Sequence, residues 1–190
     1  MSKIILASSS IYRQELLKRL PIKFTSTSPN INEVRINDEN FEDQARRLSN
    51  EKAEAISKKN PSAFVIGSDQ TAEFHNKEVR KPLSIENAFI QLSELSGQTL
   101  NFYSGVCLKN IQKNISTDAV VKFSVTYKKL SEDQIKNYLK IEDPTQCVGS
   151  IKSEGLGITL LEEIRCNDPT AVIGLPLIKL TQMFEKYGVI

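Results

Sequence analysis

Short apolar runs alternate with amphipathic stretches along the chain, and this rhythm predicts strands and helices taking turns. Ile4-Ile5-Leu6-Ala7 has strand length, and the serines that follow lead into a segment whose Leu16, Leu17 and Leu20 share a helical face until Pro21 stops it. A second helix is predicted from about Phe41 to Lys59, capped by Asn40 or Asp38, with Pro61 beyond its end. Phe64-Val65-Ile66 then reads as a buried strand closed by Gly67-Ser68-Asp69-Gln70, and Thr71 to Glu78 as extended chain turning back on itself. Ser84 caps a third helix through Ala88, Leu92 and Leu95, which Gly97 terminates. Alternating runs near Asn101–Leu108 and Ala119–Tyr127, joined by the polar 109–118 link, predict a long antiparallel pair. Ser131-Glu132-Asp133-Gln134 is a capping box for a short helix through Ile135, Tyr138 and Leu139. Cys147–Gly157 reads as loop, Ile158–Ile164 as a strand and Leu175–Tyr187 as a final helix.

No repeat or linker divides the chain, so residues 1–190 are expected to form one domain. The order of elements predicts an α/β fold, a mixed twisted sheet flanked by helices, with the late antiparallel pair forming a lobe beside the cleft. Composition agrees with a globular protein: of 190 residues, 39% are hydrophobic and 25% charged. The 25 Lys and Arg nearly balance the 23 Asp and Glu, which excludes a strongly basic coat for nucleic acid. The longest apolar stretches, Ala63–Gly67 and Ala171–Ile178, are far shorter than the roughly 20 residues a bilayer requires. Met1-Ser2-Lys3 runs directly into the first strand without a signal-peptide core, so the expected location is the cytoplasm, with no membrane partner.

The titratable inventory narrows the chemistry. Cys107, Cys147 and Cys166 are unpaired in spacing and suggest neither a disulfide framework nor a thiolate zinc site. One histidine, His75 in a turn-like segment, excludes a two-histidine metal site. Acid-base work must therefore fall to carboxylates, lysines or a metal-bound water.

Three places offer such chemistry. The Ser8-Ser9-Ser10 loop joins a strand end to a helix start, where free N–H groups and hydroxyls suit an anion, and Ser10 as N-cap puts Arg13 in the first turn. A cation there opposes the helix dipole, which a bound anion would offset; alternatively the serines cap the helix and Arg13 is solvated. Lys52 falls on the stripe of Ala45, Leu48 and Ile56, and a lysine directed inward calls for a carboxylate or a ligand phosphate. Arg46 and Arg47 fall off that stripe and read as surface charge. Asp69 follows a strand end, where ligand crevices open in α/β sheets. Lys81 returns the chain toward it, and Glu33 offers a second carboxylate. Ser8, Ser10, Arg13, Lys52 and Lys81 with Glu33 and Asp69 describe a polyphosphate site with carboxylates for a divalent cation.

Leu6–Leu17, Glu33, Lys52-Ala53, Gly67–Gln70, Lys81-Pro82, Leu95-Ser96-Gly97 and Ile173–Leu177 match in order the motifs of a known group. The chain resembles the Maf nucleotide pyrophosphatases over essentially its whole length, and by Ser68-Asp69-Gln70, the 149–155 segment and Asn167–Ala171 it resembles the 7-methyl-GTP branch. The resemblance implies a Maf/ITPase-like fold and a hydrolase that splits 7-methyl-GTP into 7-methyl-GMP and pyrophosphate with Mg²⁺ or Mn²⁺. It implies Asp69 as proton acceptor and Tyr12, Gln70 and Glu154 as specificity positions; the residues themselves suggest Ser8, Ser10, Arg13, Lys52 and Lys81 as phosphate contacts and Glu33 and Asp69 as metal ligands, with Asp69 open between general base and metal ligand. A dTTP/UTP pyrophosphatase, or a non-catalytic nucleotide-binding regulator of septation, is the alternative it leaves. Tyr12 departs from the commoner arginine. A small-molecule nucleotide is the expected partner, nucleic acid is not, and a homodimer is left open.

Overall fold

The structure, a computed structural model, describes residues 3–36 and 38–190; Met1 and Ser2, with which the leader argument began, lie outside the described residues. Its strands are β1 (Ile4–Ala7), β2 (Phe24–Ser26), β3 (Phe64–Phe74), β4 (Lys77–Glu78), β5 (Thr99–Asn110), β6 (Ile115–Tyr127) and β7 (Leu161–Arg165). The helices are α1 (Ile11–Leu17), α2 (Phe41–Ser57), α3 (Ile85–Leu95), α4 (Glu132–Ile141) and α5 (Leu177–Lys186), with 3-10 turns at Val148–Ser150, Leu156–Leu160 and Pro169–Ile173. The sheet is open and mixed, in the order β2-β1-β3-β5-β6-β7 with β4 bonded to β3. Both neighbours of β1 run parallel to it, whereas β4 on β3 and β7 on β6 are antiparallel.

Two compact units share these strands. The first comprises Met1–Gln70, Tyr103–Val121 and Asn167–Ile190; the second comprises Thr71–Phe102 and Lys122–Cys166. Of the late strand pair, β5 and β6 each begin in one unit and end in the other.

Strand alternation builds two apolar layers in the first unit. Ile4, Leu6, Phe64, Ile66, Val106 and Leu108 point to one face, where Leu16 and Leu17 of α1 and Leu180 and Phe184 of α5 cover them. Ile5, Ala7, Val65 and Cys107 point to the other, where Ala53 and Ile56 of α2 cover them. Burial in that second layer pushes the Cys107 thiol up to about 12, which makes it a small hydrophobe. In the second unit α3 buries Ala88, Leu92 and Leu95 and packs on α4 and the Val148–Ser150 turn, while Phe102 and Phe123 stack at 4.8 Å.

Several boundaries differ from the sequence reading. The 67–70 segment does not close β3 but continues it, because each of its polar groups finds a partner within the first unit. The link between β5 and β6 shrinks from ten residues to the turn 111–114: Lys109 pairs with Glu54 and Asp118 with Arg46, so these charged residues have partners inside the strands. The strand expected at Ile158–Ile164 is preceded by a 3-10 turn and starts at Leu161. Helix α1 is shorter than expected and α2 ends two residues early, whereas the caps Ser10, Asn40, Ser84 and the Ser131–Gln134 box form as read.

Candidate active site

Helix α2 lies against the sheet at two positions that only glycine permits. A Cβ on Gly67 would collide with the carbonyl of Ser49 and come within 2.7 Å of the Ala53 nitrogen; one on Gly105 would collide with the Ala45 carbonyl. Main chain thus meets main chain, and the next α2-facing residue of β3 after Gly67 is Asp69, beneath Lys52. The Lys52 Nζ donates to Asp69 Oδ1 at 2.6 Å and lies 2.9 Å from Glu33 Oε1. Lys52 and Asp69 side chains are only 7% and 9% exposed, while Glu33 is 57% exposed and opens the cluster to solvent. The lysine directed inward has carboxylate partners, as its place on the stripe required. The last β1–β3 pair is Ala7 with Gly67, so Asp69 lies just beyond the end of β1, where the serine loop begins.

In that loop the buried Ser8 hydroxyl oxygen accepts from the Ser10 N–H, and the Ser10 oxygen accepts from the Arg13 N–H at the start of α1. Each hydroxyl keeps its own proton to donate. Arg13 is neither solvated nor waiting at a helix end: its Nε donates to the Gly174 carbonyl and its Nη1 to the Ser68 carbonyl, both at 2.8 Å. Desolvation lowers the guanidinium pKa, while the charges of Asp69 and Glu33 raise it, so Arg13 and the carboxylate cluster share one electrostatic field. Tyr12, half-buried on α1, neighbours this group.

The opposite face of β3 carries Ser68 and Gln70. The Ser68 hydroxyl reaches the carbonyls of Gly105 and Gly174, and Gln70 Nε2 reaches Ser104 Oγ and the Ala171 carbonyl, each at 3.0 Å. Gln70 is therefore tied to the Pro169–Ile173 turn and not to the Lys52 cluster. Buried Asp168 fixes that turn by accepting from the Thr170 N–H and from the Ile178 N–H at the start of α5. In the second unit, Lys81 is exposed; so is Glu154, whose carboxylate accepts from the Ser153 hydroxyl at 3.4 Å.

Arg47, read as surface charge, is instead a clasp. It forks onto both carboxylate oxygens of Glu39 at 2.7 and 2.8 Å and reaches the Val34 carbonyl, next to Glu33. The guanidinium hydrogen bonds hold the Glu39 carboxyl below its ordinary range. Helix periodicity could not reveal it, since Glu39 lies outside the helix. Asp168 could have been found, because Asp before Pro at a helix start is a capping pattern. Nothing in the sequence singles out Ser104.

Among the described residues no group of three or more His, Cys, Asp or Glu could hold a metal ion, and no helix is long and apolar enough to cross a membrane. Two carboxylates, those of Glu33 and Asp69, meet at the Lys52 ammonium, and their oxygens are of the donor type that Mg²⁺ and Mn²⁺ take.

The Maf-like protein family matches residues 3–187. The chain belongs to the Maf family. Among its Maf relatives, the 7-methyl-GTP pyrophosphatase of Nitrosococcus oceani is 45% identical over 97% of this chain and 93% of its own. That of Pseudomonas putida is 43% identical over 100% of this chain and 98% of its own. Two solved structures align less well: Staphylococcus aureus Ham1 at TM-score 0.44 and 19% identity, covering 67% of this chain and 71% of its own, and a Mycobacterium abscessus dITP/XTP pyrophosphatase at 0.41 and 17%, covering 67% and 75%.

Proposed function

We propose that this Maf protein hydrolyses 7-methyl-GTP to 7-methyl-GMP and pyrophosphate in the cytoplasm, with Mg²⁺ or Mn²⁺. The observation that carries the chemistry is the buried Lys52 between Asp69 and Glu33, just beyond the end of β1. The named activity of relatives at 43–45% identity, matched end to end, carries the substrate.

Cleavage between the α and β phosphates adds water to phosphorus, breaks the bridging P–O bond and releases pyrophosphate. Asp69 takes the proton from the attacking water, and the hydrogen bond from Lys52 at 2.6 Å keeps its carboxylate in place to do so. Lys52 exchanges part of its carboxylate bonding for a phosphate oxygen as triphosphate enters. Ser8 and Ser10 donate their hydroxyl protons to phosphate, and the Arg13 charge lowers the cost of bringing anions to the loop. A bound divalent ion, held by Glu33 and Asp69, would neutralise the developing charge. Lys81 is assigned to phosphate and Tyr12, Gln70 and Glu154 to base choice on the motif match.

The test is pyrophosphate release from 7-methyl-GTP, GTP, UTP and dTTP in Mg²⁺ and in Mn²⁺. The highest kcat/KM is expected for 7-methyl-GTP. A preference for UTP or dTTP would overturn the substrate, and no release from any of the four would overturn the activity.

A further inference from the structure

We infer that Ser104 is a specificity-positioning residue, which locks the Gln70 amide so that position 70 offers a nucleotide base only a hydrogen-bond acceptor. The inference rests on the function proposed above and adds the polarity of one contact.

Ser104 is fully buried on β5, on the same sheet face as Gln70. Its hydroxyl donates to the Ala171 carbonyl at 2.8 Å, so its oxygen is left to accept from Gln70 Nε2 at 3.0 Å. The same Nε2 donates to the Ala171 carbonyl. A carbonyl only accepts, so the atom facing it must be the amide nitrogen, and this fixes which way the amide is turned. The Ser104, Ala171 and Gln70 groups form a closed triangle. Both amide protons have acceptors inside the protein, and Oε1 has no donor among the described residues.

An acceptor without donors beside it discriminates between bases. Guanine's Watson-Crick edge presents N1–H and the 2-amino group side by side, two donors for Oε1 to choose from. Uracil and thymine present a single N3–H between two carbonyls, whose lone pairs face the Gln70 oxygen and repel it. An amide free to turn would offer its N–H to those carbonyls, so the lock is what carries selectivity.

Ser104→Ala removes one of the two acceptors of Nε2 and leaves the Ala171 carbonyl as the other, so half of the lock is lost and the amide turns more readily. The kcat/KM ratio of 7-methyl-GTP to UTP is then expected to fall roughly ten-fold, with Ser104→Thr, which keeps the hydroxyl, restoring it. Titration calorimetry with 7-methyl-GMP and UMP reads the same discrimination without hydrolysis. Equal loss on both nucleotides with an unchanged ratio would make Ser104 a packing residue and overturn the inference, as would equal binding of the two monophosphates by the unsubstituted protein. If no triphosphate were hydrolysed while the monophosphate preference existed and fell in Ser104→Ala, the proposed activity would be wrong and the lock would stand.

Discussion

Replacing Asp69 by Asn separates the chemical role of this carboxylate from its structural one. The side chain keeps its shape and an acceptor oxygen for Lys52, so the 2.6 Å hydrogen bond survives with a neutral acceptor. What is lost is the acceptor's own charge in that bond, about 1 to 2 kcal/mol. Glu33, 2.9 Å from the Lys52 nitrogen, still balances the buried cation. The larger penalty of about 3 to 5 kcal/mol for orphaning a buried charge is therefore avoided. For a chain of this size the thermal midpoint should drop by roughly 2 to 8 °C, leaving a folded protein at assay temperature. Turnover should fall much further, by roughly 10² to 10⁴, the range for losing a positioned proton acceptor. The assay is kcat for 7-methyl-GTP at saturating Mg²⁺ and, separately, Mn²⁺, beside a thermal melt of the same preparation. A variant with the expected melt but turnover within about three-fold of the unsubstituted protein would refute Asp69 as proton acceptor. A melt unchanged within error would refute the energetic role assigned to the Lys52 pair.

Three further outcomes are expected. The Glu39 carboxyl is held below its ordinary value by Arg47, so this clasp contributes fully above about pH 4.5 and fades as pH falls through the lowered value. Arg47→Ala should thus cost about 1.5 to 3 kcal/mol in urea unfolding at pH 7 and less in acid, and a gap independent of pH would contradict the assignment. Gly67→Ala drives a methyl into the Ser49 carbonyl and should destabilise by about 3 kcal/mol or more while lowering turnover; an unaltered melting curve would mean that α2 can lift off the sheet freely. Glu154→Gln should reduce kcat/KM for 7-methyl-GTP about ten- to a hundred-fold relative to UTP, because a carboxylate pairs with the cationic methylated ring; equal loss on both would assign Glu154 no part in base choice.

Helix starts were legible because their signal is local. Asn40, Ser84 and Ser131 each accept from the N–H three residues on, as their chemistry dictates. Lys52 was legible too, since an uncompensated cation on an apolar stripe requires a partner. The extent of β3 was not: Gly67, Ser68, Asp69 and Gln70 have loop-like composition, and only contacts with residues about 15 to more than 100 positions away make them strand. The alternation across those four residues also divides the expected site, with Asp69 turned toward α2 and Gln70 toward the Pro169–Ile173 turn. Arg13 escaped for a similar reason, as its carbonyl partners Ser68 and Gly174 carry no side-chain signature.

The bare contact of α2 with the sheet at Gly67 and Gly105 also bears on how this protein can change over evolutionary time. Helices seated on side chains shift by fractions of an ångström whenever a valine becomes an isoleucine beneath them, and any catalytic pair they hold drifts with them. Peptide groups have no rotamers and no alternative volumes. A spacing set by peptide groups stays constant while Ile5, Val65 and Ile56 around it are exchanged for other apolar residues. The Lys52–Asp69 separation is in this sense gauged by the polypeptide backbone itself. Exchanges in the surrounding layer are expected to leave the pair in place, whereas a side chain at either glycine moves it.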